Sequence, residues 1–353
     1  MEIIFIGLAV LALVYLQKYL YYHYWDLGLN MDARFSSKEA FEGDRLYVIE
    51  TLTNQKFLPL PWVFSKLRMP YNLEIVGGGN DTRQQGELFS VMMYQSIRRR
   101  FSFVCNKRGF YTINRIQLSA SNILYTEEFN KDWHINGQLV VFPKLIDDCP
   151  QLELIYKRID ADVLFNQILN PDPFEFRGIR EYQATDAFRD INFKATAITQ
   201  QLMVNIHAPT SAKKLNIILN LEKPPYDAEI YEQAIRLCAT IASYYIGENV
   251  MVGLHSNGRD IGTREEITLG AGASTTHLYN IYESLARIEL LLRIAPMANY
   301  LETLTDNETV YLIISPYHQA DFLRAFEDLE NRGISAFLII PGDNEKITIW
   351  GAD

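Results

Sequence analysis

The stretch FRGIREYQATDAFRDINFKATA, residues 176–197, is the densest collection of reactive groups in the chain. It holds Arg177, Arg180, Glu181, Asp186, Arg189, Asp190 and Lys194, with Tyr182 among them. Two carboxylates facing a cleft would suit general acid and base work, and arginines would suit phosphate or carboxylate recognition. The run contains no Cys, His or Ser to serve as a nucleophile, and each carboxylate has a cation close by in sequence. That pattern favours a structural or docking network over catalysis. Asp186 and Arg189 stand at i,i+3 and Asp190 and Lys194 at i,i+4, while Thr185 or Asp186 suits an N-cap. The spacing predicts a short capped helix with a charged outer face and with Ile191, Phe193 and Ala195 turned inward.

Other chemical candidates are sparse. The six histidines (His23, His134, His207, His255, His277, His318) are scattered, and His255 lies closest to where a strand-end cleft would form. With Glu222, Asp186 or Asp190 it defines the enzymatic alternative, a hydrolase or transferase with a carboxylate site at strand ends. Cys105, Cys149 and Cys238 are odd in number, with no CxxC spacing, and read as thiols of a reducing compartment. Gly77 to Gly79 lack the Lys-Ser/Thr of a phosphate loop and read as a hairpin tip. Arg98, Arg99 and Arg100 alternate in facing on a strand, which reads as a solvated strand start.

The elements that must position these groups are legible from composition and periodicity. The 353 residues carry 43 acids against 33 bases, a formal charge of −10, which lacks the basic footprint of a general nucleic-acid binder. Residues 3–16, IIFIGLAVLALVYL, continue through YLYYHYW to Trp25, about the length a helix needs to cross a bilayer. A signal peptide would begin with positive charge and end in small residues, whereas Glu2 precedes this run and aromatics follow it. The Tyr and Trp cluster suits a headgroup belt, and Lys18, Arg34 and Lys38 after the span place the bulk of the chain in the cytoplasm.

Residues 30–145 read as short strands separated by turn material, the pattern of an antiparallel, Ig-like β-sandwich. Residues 146–212 read as a linker helix followed by the charged run. From 213 to 353, apolar strands alternate with helix-length segments (KKLNIILNL, NVMVGLHSN, TVYLIIS, SAFLIIPG), the mark of a doubly wound α/β domain. EEITLGAGAS reads as a turn, THLYNIYESLARIELLL as one helix, and Gly247 and Gly333 as helix stops.

In such a sheet ligands bind at the carboxyl ends of the strands, here at Asn220, Leu221, Glu222, Lys223 and Pro224. The domain resembles a von Willebrand factor A-like domain, whose Asp-x-Ser-x-Ser at this strand end holds Mg²⁺. The motif positions here are Asn220, Glu222 and Pro224. Asn220 and Glu222 offer oxygens to a hard cation, but Pro224 has no side-chain oxygen, so the site is degenerate and no cofactor is expected.

REYQATDAFRDINFKATA resembles the signature of the bacterial domain of unknown function 58 family, Arg-Glu-Tyr-x-x-Gly-Asp-x-x-Arg-x-Ile-x-Trp-x-x-Thr/Ser-Ala. Arg180, Glu181, Tyr182, Asp186, Arg189, Ile191, Lys194, Thr196 and Ala197 align without gaps, while Thr185 replaces Gly, Phe193 replaces Trp and Ile198 replaces Arg. The order of parts agrees too, although that family more often has two N-terminal membrane helices. The resemblance implies a protein held in the bacterial inner membrane that mediates protein contacts, works with a MoxR-type AAA+ ATPase and other envelope proteins, and has no reaction of its own. Arg180, Glu181, Tyr182, Asp186, Arg189 and Lys194 are then its docking or structural signature.

Overall fold

The computed structural model describes every residue except 1, 77–83, 148–149, 170, 184–185, 187, 210–213, 223–227, 291–293, 308, 343–346 and 351–353. Gly77 to Gly79, Cys149, Thr185, Lys223 and Pro224 therefore lie outside the described residues. The chain divides into two compact units, Met1–Lys144 and Leu145–Asp353.

The first unit opens with α1 (Glu2–Tyr24), whose stretch Ile3–Tyr24 is long and apolar enough to cross a membrane. Nine strands follow: β1 (Leu29–Phe35), β2 (Glu39–Phe41), β3 (Arg45–Asn54), β4 (Leu60–Arg68), β5 (Leu73–Ile75), β6 (Gln84–Val91), β7 (Ser96–Cys105), β8 (Gly109–Ser121) and β9 (Glu128–Phe142). They form two sheets of order β1-β3-β7-β5 and β2-β9-β8-β4-β6, antiparallel except for β2 on β9. Alternation builds the core: β1 reads buried-exposed along its whole length, and Leu52, Phe103, Ile116 and Leu139 close the space between the sheets.

Two expectations are corrected here. The aromatic end of α1 is not all at a headgroup belt, because Tyr21 (1% exposed) and Trp25 (8%) belong to the sandwich core. The Tyr21 hydroxyl donates to the Pro59 carbonyl at 2.5 Å, and Trp25 stacks on Phe129 at 5.7 Å. The arginine triplet also divides by facing. Arg98 and Arg100 are exposed, but Arg99 opposes Glu50 on the inner face of β3. Its guanidinium lies 3.5 Å from Glu50 Oε2 and 2.7 Å from Glu87 Oε2, between the rings of Phe89 and Phe101.

The second unit starts with α2 (Pro150–Leu169), β10 (Pro171–Glu181), a 3₁₀ turn at Phe188–Asp190, α3 (Phe193–Thr199) and β11 (Met203–Pro209). Segment 146–212 is not a free linker. Ile155 and Ile159 are buried, Tyr156 stacks on Tyr244 at 3.9 Å, and the Ile146 amide donates to Thr240 Oγ1 at 2.9 Å.

The remainder is β12 (Lys214–Leu219), α4 (Glu229–Gly247), β13 (Met251–Asp260), β14 (Glu266–Gly272), α5 (Thr275–Ala286), β15 (Ile288–Glu289), α6 (Met297–Thr303), β16 (Val310–Ile314), α7 (Ala320–Asn331), β17 (Ala336–Pro341) and β18 (Ile347–Ile349). The sheet order is β14-β13-β12-β16-β17-β18, with β12, β13, β16 and β17 mutually parallel and β14 and β18 antiparallel at the edges. A reversal of strand order between β12 and β16 is the mark of a doubly wound sheet. Residues 266–272, read as part of a turn, are the edge strand β14. The helix expected over 276–292 stops at Ala286, because Arg287 turns back to Asp260 (Nε to Oδ2, 2.6 Å) and the chain enters β15. Helix α6 was not foreseen; its only strong pattern is the buried i,i+4 pair Met297 and Leu301.

Glu50 is 1% exposed, accepts a hydrogen bond from Ser65 on the opposing sheet, and has its carboxyl pushed above the usual range by burial against the pull of Ser65 and Arg99. Arg99→Met would leave that carboxylate buried without its cation. We expect a loss of about 3 kcal/mol in unfolding free energy at neutral pH. The loss should shrink on acidification as Glu50 takes up a proton, and Glu50→Gln in the same chain should recover most of it; denaturant melts of the single and double variants check this.

Candidate functional site

The charged signature is built on the β10–β11 hairpin, which pairs Ile179 with Asn205, Arg180 with Val204 and Glu181 with Met203. Arg180 reaches forward to Asp186 in a two-pronged pair, Nη1 to Oδ2 and Nη2 to Oδ1, both 2.6 Å. The Gln183 amide also donates to Asp186 Oδ2 at 2.8 Å, so the carboxylate closes a tight loop. The Arg180 guanidinium, followed by the Gln183 amide, holds the Asp186 carboxyl below its ordinary range, and Asp186 raises Arg180 in turn.

The expected helix cap is corrected. The helix begins at Phe193, and its cap is Asn192, whose Oδ1 accepts from the Ala195 amide at 2.9 Å and whose Nδ2 donates to Asn205 Oδ1 at 2.7 Å. Asp186, Arg189 and Asp190 all precede that cap, so neither expected intrahelical pair stands on one helix. Asp186 pairs with Arg180, and Asp190 lies 3.8 Å from Arg189. Ile191 is buried as expected, bridged to Val204, but Phe193 is 66% exposed and plugs no core. Glu181, Lys194 and Arg189 are exposed and Tyr182 is half-buried, with its amide on the Leu202 carbonyl. Sequence periodicity missed the Asn192 cap because the aromatic at 193 imitated a core position.

At the carboxyl ends of β12, β13 and β16 the polar residues meet one another. Asn220 Oδ1 accepts from the Glu222 amide (3.0 Å) and from Asn257 Nδ2 (2.9 Å), while Asn220 Nδ2 donates to Ser315 Oγ (2.9 Å). Asn257 returns its oxygen to the Leu221 amide at 2.8 Å and its Nδ2 to the Ala295 carbonyl at 2.9 Å. Ser315 Oγ donates to the Tyr317 carbonyl. Glu222, 3% exposed, accepts from the Met297 amide at 3.2 Å, and its carbonyl accepts from the Tyr231 hydroxyl at 2.9 Å. Asn257 and Ser315 were not singled out from sequence, although each is the polar residue that ends an apolar run, LHSN and LIIS.

The oxygens at these strand ends are engaged by donors of the fold itself. Asn220 Oδ1 already takes two N–H donors, and Glu222 Oε2 takes a third. Among the described residues no group of three His, Cys, Asp or Glu could hold an ion. Each strand end is thus tied to its neighbours by hydrogen bonds.

His255 does not join Glu222. Its Nδ1 hydrogen-bonds Thr268 Oγ1 at 3.0 Å and its ring stacks on Tyr300 at 3.5 Å, while Nε2 is buried with no hydrogen-bond partner among the described residues. Burial pushes its pKa down to about 4, so it is neutral near pH 7.

Against known proteins, no family model matches the sequence and no curated protein does. Solved structures with some likeness include a non-cellulosomal cohesin of Archaeoglobus fulgidus, at 14% identity over 32% of this chain and 91% of that one, TM-score 0.23. The CARDB domain of a Pyrococcus furiosus protein, in complex with di-metal ions, gives the same identity, coverage and score. The seventh ScaB type I cohesin of Pseudobacteroides cellulosolvens matches at 14% identity over 34% of this chain and 96% of that one, TM-score 0.24. Likeness at this level carries no weight for family or activity.

Two outcomes test the site. His255 has a folded pKa below its unfolded value, so the unfolded chain binds the extra proton between about pH 6.5 and 4 and stability falls as pH falls through that window. Wild type should lose about 2 kcal/mol more than His255→Gln between pH 7 and pH 5, read from paired denaturant melts. Separately, neither Mg²⁺ nor EDTA should move the melting midpoint of the protein, since stabilisation by mass action requires an open site.

Proposed function

We propose that this chain is a membrane-anchored protein-interaction or assembly factor whose second unit is a von Willebrand A-like module with a closed strand-end site, working with a MoxR-type AAA+ ATPase. The observation that carries the reading is the surface of the signature segment. Phe176, Ile179, Phe188, Phe193, Ile198 and Leu202 are 41–76% exposed, and Arg189 stands among them with its side chain 89% exposed. Large apolar residues gathered with an open cation on one segment are the composition of a protein-docking face.

The sheet order and the degenerate Asn220 and Glu222 pair support a binding role, because the residues that would hold a metal are spent on hydrogen bonds within the fold. The ATPase partner is inferred from the resemblance of REYQATDAFRDINFKATA to the domain of unknown function 58 signature. Within that signature Arg180 and Asp186 hold the loop, and the exposed Arg189, Glu181 and Lys194 are left to reach a partner, Arg189 among the exposed aromatic residues.

The test is a crosslinked pull-down of the detergent-solubilised full chain from its own cells, with and without ATP and Mg²⁺, read by mass spectrometry. Wild type should recover a MoxR-type ATPase in a nucleotide-dependent way, and Phe188→Asp or Arg189→Glu, both at exposed positions, should cut recovery about tenfold, on the order of the cost of one interface anchor. Recovery of no ATPase would remove that partner, and undiminished capture by both variants would remove this face.

A further inference from the structure

Helix α1 and the β domain share one core, so the depth of one in a bilayer fixes the depth of the other. From Val14 onward one side of the helix faces the domain. Lys18 Nζ lies 3.2 Å from Glu127 Oε1, and Tyr21 and Trp25 are buried in the sandwich. At about 1.5 Å per residue, the portion clear of the domain, Ile3 to Leu13, measures roughly 16 Å, whereas Ile3–Tyr24 measures roughly 33 Å. A bilayer hydrocarbon core is about 30 Å thick. For Ile3–Tyr24 to fill that thickness, the part of the domain beside Val14 to Tyr24 must enter the membrane boundary with it.

That part of the domain is built for it. Three loops meet there, at residues 55–59, 92–95 and 122–127. Asn54 Nδ2 donates to the carbonyls of Leu58 (2.9 Å) and Met92 (3.0 Å), the Tyr94 amide to Lys56 (3.2 Å), and Trp62 Nε1 to the Ile123 carbonyl (3.3 Å). Their tips carry Phe57 (71% exposed), Tyr94 (70%), Ile123, Leu124 and Tyr125 (52–64%). Tyr94 and Tyr125 both sit at φ 53°, a left-handed conformation uncommon for an aromatic residue, so the two tips hold tyrosines where glycine would fit more easily. Beside them a groove of about 400 Å³ is walled by Leu20, Tyr24, Leu27, Phe57 and Leu58 together with Lys56, whose ammonium is turned onto the Trp25 and Leu27 carbonyls, so the walls are mostly apolar. The opposite end of the sandwich, where the Gly43 amide meets the Cys105 carbonyl and the Asn106 amide the Asn72 carbonyl, carries Asp44 and Lys107 with a single exposed aromatic, Tyr71, among the described residues of those turns.

We propose that the loop end of the β domain is a bilayer-interface surface. The tips at 55–59, 92–95 and 122–127 seat in the headgroup and upper acyl region around α1, so that helix and domain engage lipid as one body. This rests on α1 being a membrane span. Tyrosine and tryptophan prefer that layer, and apolar groups of interfacial elements sit about 5–10 Å deep, while the two cations nearest the tips are tied into the fold, Lys56 Nζ to the Trp25 and Leu27 carbonyls and Lys18 Nζ to Glu127. Glu127 contacts the helix six residues before its end, which places loop 122–127 about 9 Å below the level of Tyr24.

The test uses the full chain in phospholipid nanodiscs, with Cys149→Ser to leave the buried Cys105 and Cys238 as the remaining thiols. Single cysteines at the exposed positions Leu124, Phe57, Leu11 and Lys107 carry an NBD probe, and lipids bear a nitroxide high on the acyl chain. Quenching of about twofold or more at Leu124→Cys and Phe57→Cys, as for groups seated at that depth, with none at Lys107→Cys, is the expected result. Quenching at Leu11→Cys without quenching at 124 and 57 would overturn the proposal and leave the anchor intact. Absence of quenching at Leu11→Cys as well would overturn both, and equal quenching at Lys107→Cys would show that no particular end of the domain meets lipid.

Discussion

The first unit depends on one packing contact, the insertion of Tyr21 and Trp25 from the end of α1 into the sandwich core. Burying two large aromatic side chains contributes roughly 5 kcal/mol, comparable to the net stability of a whole small domain. A helix joined only by a linker would leave the β domain free to tumble above a membrane. A helix whose last turns contribute core residues makes the domain an extension of the helix itself, with the salt bridge from Lys18 to Glu127 and the Tyr21 to Pro59 hydrogen bond fixing its rotation. The inner-face pair of Glu50 and Arg99 then ties the two sheets of that extension together through Ser65.

In the second unit the governing constraint is different. Four parallel strands buried on both faces must end somewhere, and at their ends the backbone leaves the sheet with polar groups to satisfy. Asn220, Asn257 and Ser315 serve that need by bonding to one another and to the turns that follow. A von Willebrand A-like domain would spend such positions on a cation. Here the Asn220 Oδ1, Asn257 Oδ1 and Glu222 Oε2 oxygens each accept from N–H donors of the fold, so the strand ends are bound to one another and to the turns that follow.

Much of this was legible in the sequence, for physical reasons. β3 and β8 run over the same residues as the alternating stretches RLYVIETLTN and GFYTINRIQLSAS, because two-residue alternation against one buried face is a strong signal. The apolar runs of β12, β13, β16 and β17 were equally clear. β14 was not, because EITLGAG lies at a sheet edge with only Ile267 buried and carries little periodicity. The ends of α5 and α3 were misplaced where tertiary pairs decide the matter: Arg287 with Asp260, and Asn192 with Asn205, are contacts between residues distant in the chain that no local pattern contains. The charged run was read as one short helix, but it spans the end of β10, a 3₁₀ turn and α3, and its internal pairing was not foreseen, since i,i+4 logic applies only once a helix exists.

The division of labour within that run follows from geometry more than from charge. Arg180 and Asp186 are six residues apart, a separation no helix would bring together, and they meet because a strand turns into a loop that the Asp186 carboxylate closes. A pair so occupied has little left to offer a partner. Arg189, in the middle of the 3₁₀ turn and almost fully exposed, makes a long contact to Asp190 at 3.8 Å, and the phenyl rings of Phe188 and Phe193 face each other edge-on at 6.4 Å. Phe188 in the 3₁₀ turn and Phe193 at the start of the capped helix pack on each other, and side chains already in mutual contact lose less freedom when another surface buries them. The signature therefore reads as a rigid frame, Arg180 to Asp186 and Asn192 to Asn205, presenting a small apolar and cationic tip.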